Sequence, residues 1–547
     1  MNKISSLYFL LLFTFSAHAK GDLFLKTIIE PHYKKDTFNV VKFGAKGDGF
    51  TLNTKFITAA IEKCEKNGGG VVLLPSGIWL TGPLKLKNNV NLSVSRGATL
   101  LFTKDFNEYK LVKSNWEGIP QMRNESPISA ENAINIAITG EGVIDGNGDA
   151  WRMVKKDKLN PSQWKRLIEK GGVLSEDKKT WYPSEKSLKG TTFNNPGAIT
   201  SNKSDLFYDS VKDFLRPNMI LFTSCKNVLL QGVTFQNSAA WCLHPLMCEN
   251  LTVKNIIVKN PFYAQNGDGI DVESCKNVWI ENSIFDVGDD ALCMKSGRDA
   301  EGRKRNKPTE NVTIKGCTVY ASHGGFVIGS EMSGGVKNVK VSNCTFIGTD
   351  IGLRFKTTRG RGGVVENIDI KDIYMKDIVG EAILFDMYYA AKDPVPLAGE
   401  KRELPKVEMK PVDETTPVFK NFTISNVFCN GAEKAIFVRG LPEKHIENIR
   451  FNNIKIHSKQ GIDIQEASSL IFKDVAVFSE ETNPVVDITN SDKINFDHLE
   501  YTNQSENLFR VSGDRNANIK VSNTDTDKSK EKLKMELGAT ESVIKIN

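Results

Sequence analysis

Short runs of alternating apolar and polar residues recur through most of this chain. Three successive copies read CKNVLLQGVTFQNS from Cys225, CENLTVKNIIVKNP from Cys248 and CKNVWIENSIFDVG from Cys275. The runs are rich in β-branched residues and are interrupted by Asn, Gly or Ser, a pattern typical of strands and not of helices. Each copy carries an asparagine at the same place, and the series comprises Asn227, Asn250, Asn277, Asn311, Asn338, Asn367, Asn421 and Asn448.

The spacing of these asparagines predicts the architecture. Successive members lie 23, 27, 34, 27, 29, 54 and 27 residues apart, and a repeat of this length indicates a solenoid. Short strands that recur once per coil predict an all-β protein, a right-handed single-stranded parallel β-helix whose inward side chains stack into one core. Asparagines at one register of such a coil can stack as a hydrogen-bonded ladder.

The repeat has a distinct beginning and three long interruptions. Residues Asn53 to Lys66 place four small or apolar side chains on one helical face and are followed by three glycines, which predicts an amphipathic capping helix over the first coil. The period is interrupted at 103–130, 150–217 and 386–418. We expect these segments to project as loops from one side of the solenoid, where binding residues tend to lie.

The first nineteen residues have the pattern of a secretory signal. Lys3 precedes an apolar run from Leu7 to Phe15 and a small-residue site at Ala17-His18-Ala19. We therefore predict that residues 1–19 are a signal peptide and that residues 20–547 form one exported β-helix domain, periplasmic or secreted. No later apolar run is long enough to span a bilayer.

The composition limits the kinds of partner and cofactor that are expected. The net charge is only +6 and no block rich in Lys or Arg is present, so nucleic acid is not an expected partner. Nine cysteines without a CxxC pair fit buried free thiols best, with one disulfide left open by the exported setting. The seven histidines lack zinc-ligand spacing. We expect a monomer with no cofactor and no metal.

A second strand follows each asparagine-anchored one, and alternation sorts its side chains into an inward and an outward column. The aligned strands are 269–273, 291–295, 325–329, 352–356, 382–386 and 435–439. The predicted inward pairs are Ile270/Val272, Leu292/Met294, Phe326/Ile328, Leu353/Phe355, Ile383/Phe385 and Ile436/Val438. The outward column then holds Asp271, Glu273, Lys295, Arg354, Lys356, Asp386 and Arg439.

Three aspartates and a histidine directly precede these strands. Asp268 and Asp290 fall at the same register on successive coils, which lie about 4.8 Å apart. Asp289 and His323 lie beside them. Hydrolysis of a glycosidic bond needs a protonated carboxyl for the leaving oxygen and a carboxylate that activates water. Repulsion within such a cluster is expected to raise at least one pKa. The competing interpretation is a ladder of surface ion pairs or a cation site.

At these residues the chain resembles the polygalacturonases, family 28 of the glycoside hydrolases. That family has four short motifs in order, which here read Asn266-Gly267-Asp268, Gly288-Asp289-Asp290, Ser322-His323-Gly324 and Arg354-Phe355-Lys356. FGAKGDG at 43–49, GGGVVLLPSGIWLTGPL at 68–84 and ITGEGVIDGNG at 138–148 also resemble the family, so the likeness covers roughly 38–500. Gly267 stands where the family usually has Thr and Ser322 where it usually has Gly; neither change removes a catalytic group.

The resemblance implies a role for each residue of the cluster. Asp289 would be the general acid. Asp268 and Asp290 would hold and activate water, which gives inversion at the anomeric carbon. His323 would support the acid.

The fourth motif would bind the substrate. Arg354 and Lys356 would hold a galacturonate carboxylate, so the implied substrate is an acidic, pectin-derived galacturonan with α-1,4 linkages. SHGGFVIGSEMSGG at 322–335 is similar to exo-acting bacterial members, which implies removal of galacturonate from the non-reducing end.

Several alternatives remain open from the sequence. A hydrolase of the galacturonate–rhamnose backbone, a calcium-dependent pectate lyase and a non-catalytic β-helical glycan-binding protein would share much of this pattern. Further candidates for subsites, each more readily explained by packing, are Trp116, Trp151, Trp241, His244 and Tyr388.

Overall fold

A computed structural model describes residues 28–200, 202–390 and 408–547. The predicted signal peptide and most of the third departure from the repeat lie outside the described residues. Among those that are described, no helix is long and apolar enough to cross a bilayer.

The described chain winds as a right-handed parallel β-helix, as predicted. Its front sheet, the one that carries the aspartates, has fourteen parallel strands within the described ranges. The front-sheet strands are Leu84–Lys85, Ile128–Glu131, Ile220–Thr223, Leu243–Leu246, Ile270–Glu273, Asp290–Lys295, Gly324–Ile328, Leu353–Lys356, Glu381–Asp386, Lys434–Arg439, Gln460–Gln465, Val486–Thr489, Ser505–Ser512 and Ser529–Glu536.

The back sheet wraps the remaining sides of the coil and has twenty-three strands in the same ranges. They are Thr37–Asn39, Gly70–Leu74, Gly77–Thr81, Val90–Val94, Ala98–Phe102, Ile134–Gly140, Val143–Asp145, Lys226–Gln231, Thr234–Gln236, Glu249–Lys254, Ile257–Lys259, Lys276–Glu281, Ile284–Asp286, Thr309–Lys315, Thr318–Tyr320, Val336–Ile347, Val364–Lys376, Val418–Asn430, Ile446–Ser458, Ala467–Ser479, Asp492–Tyr501, Ile519–Ser522 and Ile544–Ile546.

The predicted register of the front sheet is confirmed. Ile270 pairs with Leu292, and the same inward column continues through Phe326, Leu353 and Ile383. These side chains are fully buried. They belong to one hydrophobic core that runs from Val40 to Ile544, because each coil covers the apolar side chains of the next.

The asparagines of the repeat form a ladder, as the sequence suggested. Each side-chain amide donates to the side-chain oxygen of the asparagine one coil earlier, at 2.6 to 3.5 Å. The ladder begins two coils before the predicted series, at Asn89 and Asn135. Its members have φ between 54° and 60°. Asparagine tolerates this left-handed conformation better than other residues with a Cβ, which explains why it recurs at this turn.

The capping helix is also confirmed. It spans Thr54–Lys66 and buries Ile57, Ala60, Ile61 and Cys64. The other α-helices are Pro161–Glu169, Glu185–Gly190, Asp205–Ser210 and Asp299–Arg305, and the 3-10 turns are Val40–Phe43, Phe106–Glu108, Gly148–Ala150, Lys156–Lys158, Lys212–Phe214, Thr526–Lys528 and Glu541–Val543. All nine cysteines are buried and free.

The first two departures from the repeat fold into compact units. The first contains an antiparallel hairpin, Leu111–Trp116 with Ile119–Asn124, which we call the 111–124 hairpin. The second contains three of the helices and a small sheet of Val154–Lys155, Val173–Leu174 and Thr180–Tyr182. The tip of the hairpin reaches the coil that carries the aspartates, since the Arg298 N–H donates to the Gly118 carbonyl at 3.2 Å.

Candidate active site

The three aspartates meet at the corner where the chain enters the front sheet. The Gly269 N–H donates to the Asp290 carbonyl at 2.9 Å, which places Asp268 beside Asp290 on the neighbouring coil as predicted. Carboxylate oxygens of Asp268, Asp289 and Asp290 all lie within 4.8 Å of one another. Asp268 and Asp290 are buried, whereas Asp289 is partly exposed.

The first motif supports this corner through its backbone. The Asn266 N–H donates to Asp289 Oδ2 at 3.2 Å, and the Asp290 N–H donates to Asp289 Oδ1 at 3.0 Å. A Cβ at Gly267 would stand 2.7 Å from both the Ala264 Cβ and the Ala264 carbonyl oxygen. The close approach of Ala264 therefore explains why glycine replaces the threonine of the family motif.

His323 lies on the open side of the corner. Its Nδ1 is 3.2 Å from Asp289 Oδ1, and its Nε2 is 3.6 Å from Asp350 Oδ2. The hydrogen bond to Asp289 raises the pKa of His323 above its ordinary value, and the nearby carboxylates add to this effect. The imidazole is thus held against the proposed acid with its protonated form favoured.

Asp290 is held as a carboxylate by the fourth motif. Lys356 Nζ lies 2.7 Å from Asp290 Oδ2, and Arg354 Nη1 lies 3.1 Å from Asp290 Oδ1. Burial alone would raise the pKa of Asp290, but the two cations outweigh it and the pKa is lowered. Both cations therefore act on the aspartate cluster itself.

The raised pKa that the cluster was expected to show falls on Asp268. Burial is its largest cause, and the negative charges of Asp271 and Asp289 add to it. The pKa of Asp271 is raised in the same way, again chiefly by burial. Repulsion alone was too simple an explanation, because these carboxyls are also removed from water.

The outward column is not a solvated face. Asp271 and Glu273 are 0% exposed and Lys295 is 3% exposed. Segments that the sequence does not align with the repeat cover them: Arg305, in the helix Asp299–Arg305, lies 2.5 Å from Glu273, and Glu331, in a loop, lies 2.9 Å from Lys295. The prediction that these side chains point away from the core holds, and their burial is a finding of the structure.

Sequence reasoning missed Tyr389. Its ring lies 4.8 Å from Lys356 Nζ and 5.6 Å from the Arg354 guanidinium carbon, so it forms a wall beside both cations. Its N–H donates to the Thr357 carbonyl, which ties it to the coil of the fourth motif. The available signal was its position just after the next aligned strand, Glu381–Asp386.

The aromatic candidates separate into two groups. Trp116 stacks on Trp241 at 6.3 Å, and Trp241 contacts His244 edge-on at 4.9 Å. Trp151 packs instead in a separate small cluster with Tyr109, and Tyr388 is buried. Only the Trp116 pair therefore lies beside the 111–124 hairpin and the aspartates.

The 111–124 hairpin forms a wall on the N-terminal side of the aspartates. At its tip, Glu117 Oε2 accepts from Arg298 at 3.1 Å and Glu117 Oε1 accepts from the Asn266 side chain at 3.4 Å. A Cβ at Gly118 would stand 2.6 Å from the Arg298 nitrogen, so glycine is required for this close approach. Arg216 also donates to the Asn266 side chain, at 2.8 Å.

The donor set fits a divalent cation poorly. Both oxygens of Asp290 already accept from cationic side chains. A metal ion would have to share Asp290 with two positive charges at hydrogen-bonding distance, which is electrostatically unfavourable.

Comparison with known proteins identifies the family. A model described as glycosyl hydrolases family 28 matches residues 187–425. The structure of a hyperthermoactive exopolygalacturonase from Thermotoga maritima is 32% identical, with a TM-score of 0.63 over 80% of this chain and 90% of that one. The chain belongs to glycosyl hydrolase family 28.

Relatives with different names are also similar to the chain. An exo-poly-α-D-galacturonosidase of Dickeya chrysanthemi is 28% identical over 459 residues, which cover 80% of this chain and 70% of the relative. An endo-polygalacturonase of Pectobacterium carotovorum is also 28% identical, over a match that covers 64% of this chain and 75% of the relative. Family 28 membership makes the protein a glycoside hydrolase; the relatives include both exo- and endo-acting enzymes.

Proposed function

We propose that this protein hydrolyses α-1,4-galacturonosyl linkages of pectic galacturonan and releases galacturonate from the non-reducing end. The observation that carries the proposal is the corner itself, where three carboxylates lie within 4.8 Å beside two cations and a tyrosine ring. The polygalacturonases among the relatives support the same substrate class. We also propose export, on the pattern of residues 1–19.

In the proposed reaction Asp289 is the general acid. It is the one of the three aspartates that is partly exposed, and its oxygens accept from two backbone N–H groups and lie beside His323. It gives its proton to the glycosidic oxygen as the bond breaks. His323 keeps the carboxyl oriented and, when protonated, balances the charge left behind.

Asp268 and Asp290 are proposed to hold the attacking water. The alternative is a covalent intermediate formed by one of the two carboxylates, and the short spacing of the cluster makes this alternative worth testing. Asp290 is a poor nucleophile because Lys356 and Arg354 bind its oxygens, and Asp268 is buried with a raised pKa. Inversion therefore follows best from the contacts.

Arg354, Lys356 and Tyr389 are proposed to receive the substrate's carboxylate-bearing sugar. A guanidinium and an ammonium suit a uronate carboxylate, and a tyrosine ring suits the apolar face of a sugar. A neutral glycan would bring no counter-charge of its own to the two cations. The site therefore favours a polyuronate over a neutral chain.

The exo mode rests on the 111–124 hairpin. Its tip binds Asn266 and Arg298, next to the acid, and Trp116 fills the space against Trp241. A chain that enters the groove would meet this wall directly beyond the scissile bond. Cleavage one residue from an end then follows.

The test is a digest of polygalacturonate by wild type and by Asp289→Asn, with and without a chelator. Reducing sugar, ultraviolet absorbance and product length are followed together, and proton NMR reports the first-formed anomer. We expect saturated monomer of inverted configuration from the start, insensitivity to the chelator and loss of activity in the variant.

Other outcomes replace the proposal by a named alternative. An absorbing, chelator-sensitive product identifies a lyase, and turnover of rhamnogalacturonan alone identifies the backbone hydrolase. Binding without turnover identifies a glycan-binding protein. Mixed oligomers at early times overturn the exo mode. The double variant Glu117→Ala with Trp116→Ala is the control for the wall. Because the substitutions loosen the wall, the products should become longer if the wild type is an exo enzyme, and they should not change in length if it is an endo enzyme.

A further inference from the structure

A second layer of charged groups lies directly behind the aspartates and outside the four motifs. At its centre Lys295 Nζ lies 2.9 Å from Glu331 Oε2, 3.6 Å from Asp271 Oδ1 and 3.4 Å from the Gly329 carbonyl. The Lys295 side chain is only 4% exposed. Its ammonium also lies 4.8 Å from the centre of the Trp241 ring.

Asp271 is the costly member of this layer. It is fully buried, and within the described part of the chain neither of its carboxylate oxygens has a hydrogen-bond partner. The nearby Asp268 has one unpartnered buried oxygen of its own. An ionised carboxylate is unfavourable in such surroundings unless a cation is close.

The cations around the cluster are unequally shared. Arg354 and Lys356 bind Asp290, and Arg361 lies 3.7 Å from Glu331. Asp268 and Asp271 are left with Lys295, which they share with Glu331, while Arg216 acts on Asp268 from the other side.

The other charged neighbours of Asp268 are Asp289 and Asp290. Those of Lys295 are the carboxylate of Asp290 and the ammonium of Lys356. Asp268 and Asp271 therefore compete for Lys295, which Glu331 and Asp290 also share, while Arg216 acts on Asp268. Together they therefore hold a proton more readily than an isolated pair would.

We propose that Lys295 and Asp271 are positioning residues for the reaction: without touching the substrate, their opposite charges set whether Asp268 is free to accept a proton from water. This inference rests on the proposed hydrolysis. Lys295 favours the ionised form of Asp268, which can act as base, and Asp271 disfavours it. The two residues thus place the acidic limb of the activity profile.

The experiment measures kcat/KM against pH for wild type, Lys295→Met, Lys295→Arg and Asp271→Asn. Lys295→Met keeps an apolar stem against Trp241 but removes the charge, so the acidic limb should move to higher pH by about one unit or more. Lys295→Arg should restore it. Asp271→Asn removes the like charge, and its limb should move to lower pH.

The opposite directions separate this role from simple support of the fold. A uniform fall in kcat with an unmoved limb, or shifts of the same sign in Lys295→Met and Asp271→Asn, would overturn the proposal. Thermal melts of each variant confirm that it is folded before its profile is taken.

A readout without substrate keeps this inference distinct from the proposed function. Carbon NMR of the protein labelled in its aspartate carboxyls follows the titration of Asp268, assigned by its loss in Asp268→Asn. We expect the Asp268 resonance to titrate at higher pH in Lys295→Met than in wild type. If the wild type hydrolyses no galacturonan, the proposed function is wrong. If the Asp268 resonance titrates at the same pH in wild type and Lys295→Met, only this inference is wrong.

Discussion

Two columns of polar side chains run along this β-helix, and they are built on opposite principles. The asparagine ladder repeats one residue type from Asn89 to Asn448, always in the left-handed conformation and always bonded to its neighbour. The front column changes at every coil, from Asp271 to Cys293, Val327 and Arg354.

The two columns differ in whether their polar groups find hydrogen-bond partners. Each step of the ladder pairs an amide donor with an amide acceptor, so the turn gains hydrogen bonds at every coil. The front column buries Asp271, whose two carboxylate oxygens both lack hydrogen-bond partners within the described residues. Stability explains the first column and not the second, which points to the second as the part of the coil selected for chemistry.

The largest expected effect removes the counter-charge of two cations of the front column, Arg354 and Lys356, by substitution of Asp290 beside it. Asp290→Asn leaves the buried Lys356 and the half-buried Arg354 without their counter-charge, which costs about 3–5 kcal/mol in comparable buried pairs. We expect a marked fall in the urea midpoint at pH 7 together with loss of hydrolysis. Asp289→Asn is the matched control, since Asp289 is partly exposed: it should lose activity while its midpoint stays near wild type. Equal midpoints for both variants would contradict this view of the column.

The next largest expected effect is a gain in the free energy of unfolding, not a loss. The folded-state pKa of Asp271 is raised, so its ionisation costs stability as pH rises above the ordinary Asp range near 4. Asp271→Asn should therefore melt higher than wild type at pH 7, by roughly 1 kcal/mol or more in stability. The gain should shrink as pH falls to 4 and below, because the carboxyl of the unfolded chain then becomes protonated as well. Melting temperatures across this range check it, and a variant less stable at pH 7 would show that Asp271 stabilises the fold.

The ladder and the charged column also differ in how far the sequence predicts them. The ladder and the inward register follow from local patterns, because asparagine marks the turn and alternation sorts the faces. The partners of Lys295 do not: Glu331 is 36 residues away in a loop without the repeat. The contact of Glu117 with Asn266 spans 149 residues. Burial of the outward charges depends on such insertions, and no periodicity encodes where they fold back.

A smaller effect is expected within the ladder. Asn311 has φ 59° and hydrogen bonds to Asn277 and Asn338, each 3.2 Å long. Asn311→Gly keeps the conformation and loses the side-chain bonds, at about 1 kcal/mol. Asn311→Ala adds left-handed strain of roughly 1–2 kcal/mol. The melting temperature should be highest for wild type, lower for Asn311→Gly and lowest for Asn311→Ala. Hydrolysis should be unchanged in each variant at temperatures where it is folded. An alanine variant as stable as the glycine variant would show that conformation does not select asparagine here.

The smallest expected effect concerns an exposed set of ion pairs on the surface beside the ladder. Glu310 lies between Lys276 at 3.2 Å and Lys337 at 3.0 Å, and these cations lower its pKa although burial alone would raise it. Because the pKa is lowered, the stabilisation is present above the ordinary Glu value near 4.3 and is lost as pH falls below it. Glu310→Gln should cost less than about 1 kcal/mol at pH 7 and low salt.

That cost should vanish in 1 M salt, because solvent ions screen an exposed pair. The loss in Asp290→Asn should persist there, since its partners are buried. Melts of both variants at low and high salt make the measurement. If salt erased both losses equally, the front column would be an ordinary surface ion-pair ladder, and its burial would carry no special electrostatic consequence for the reaction.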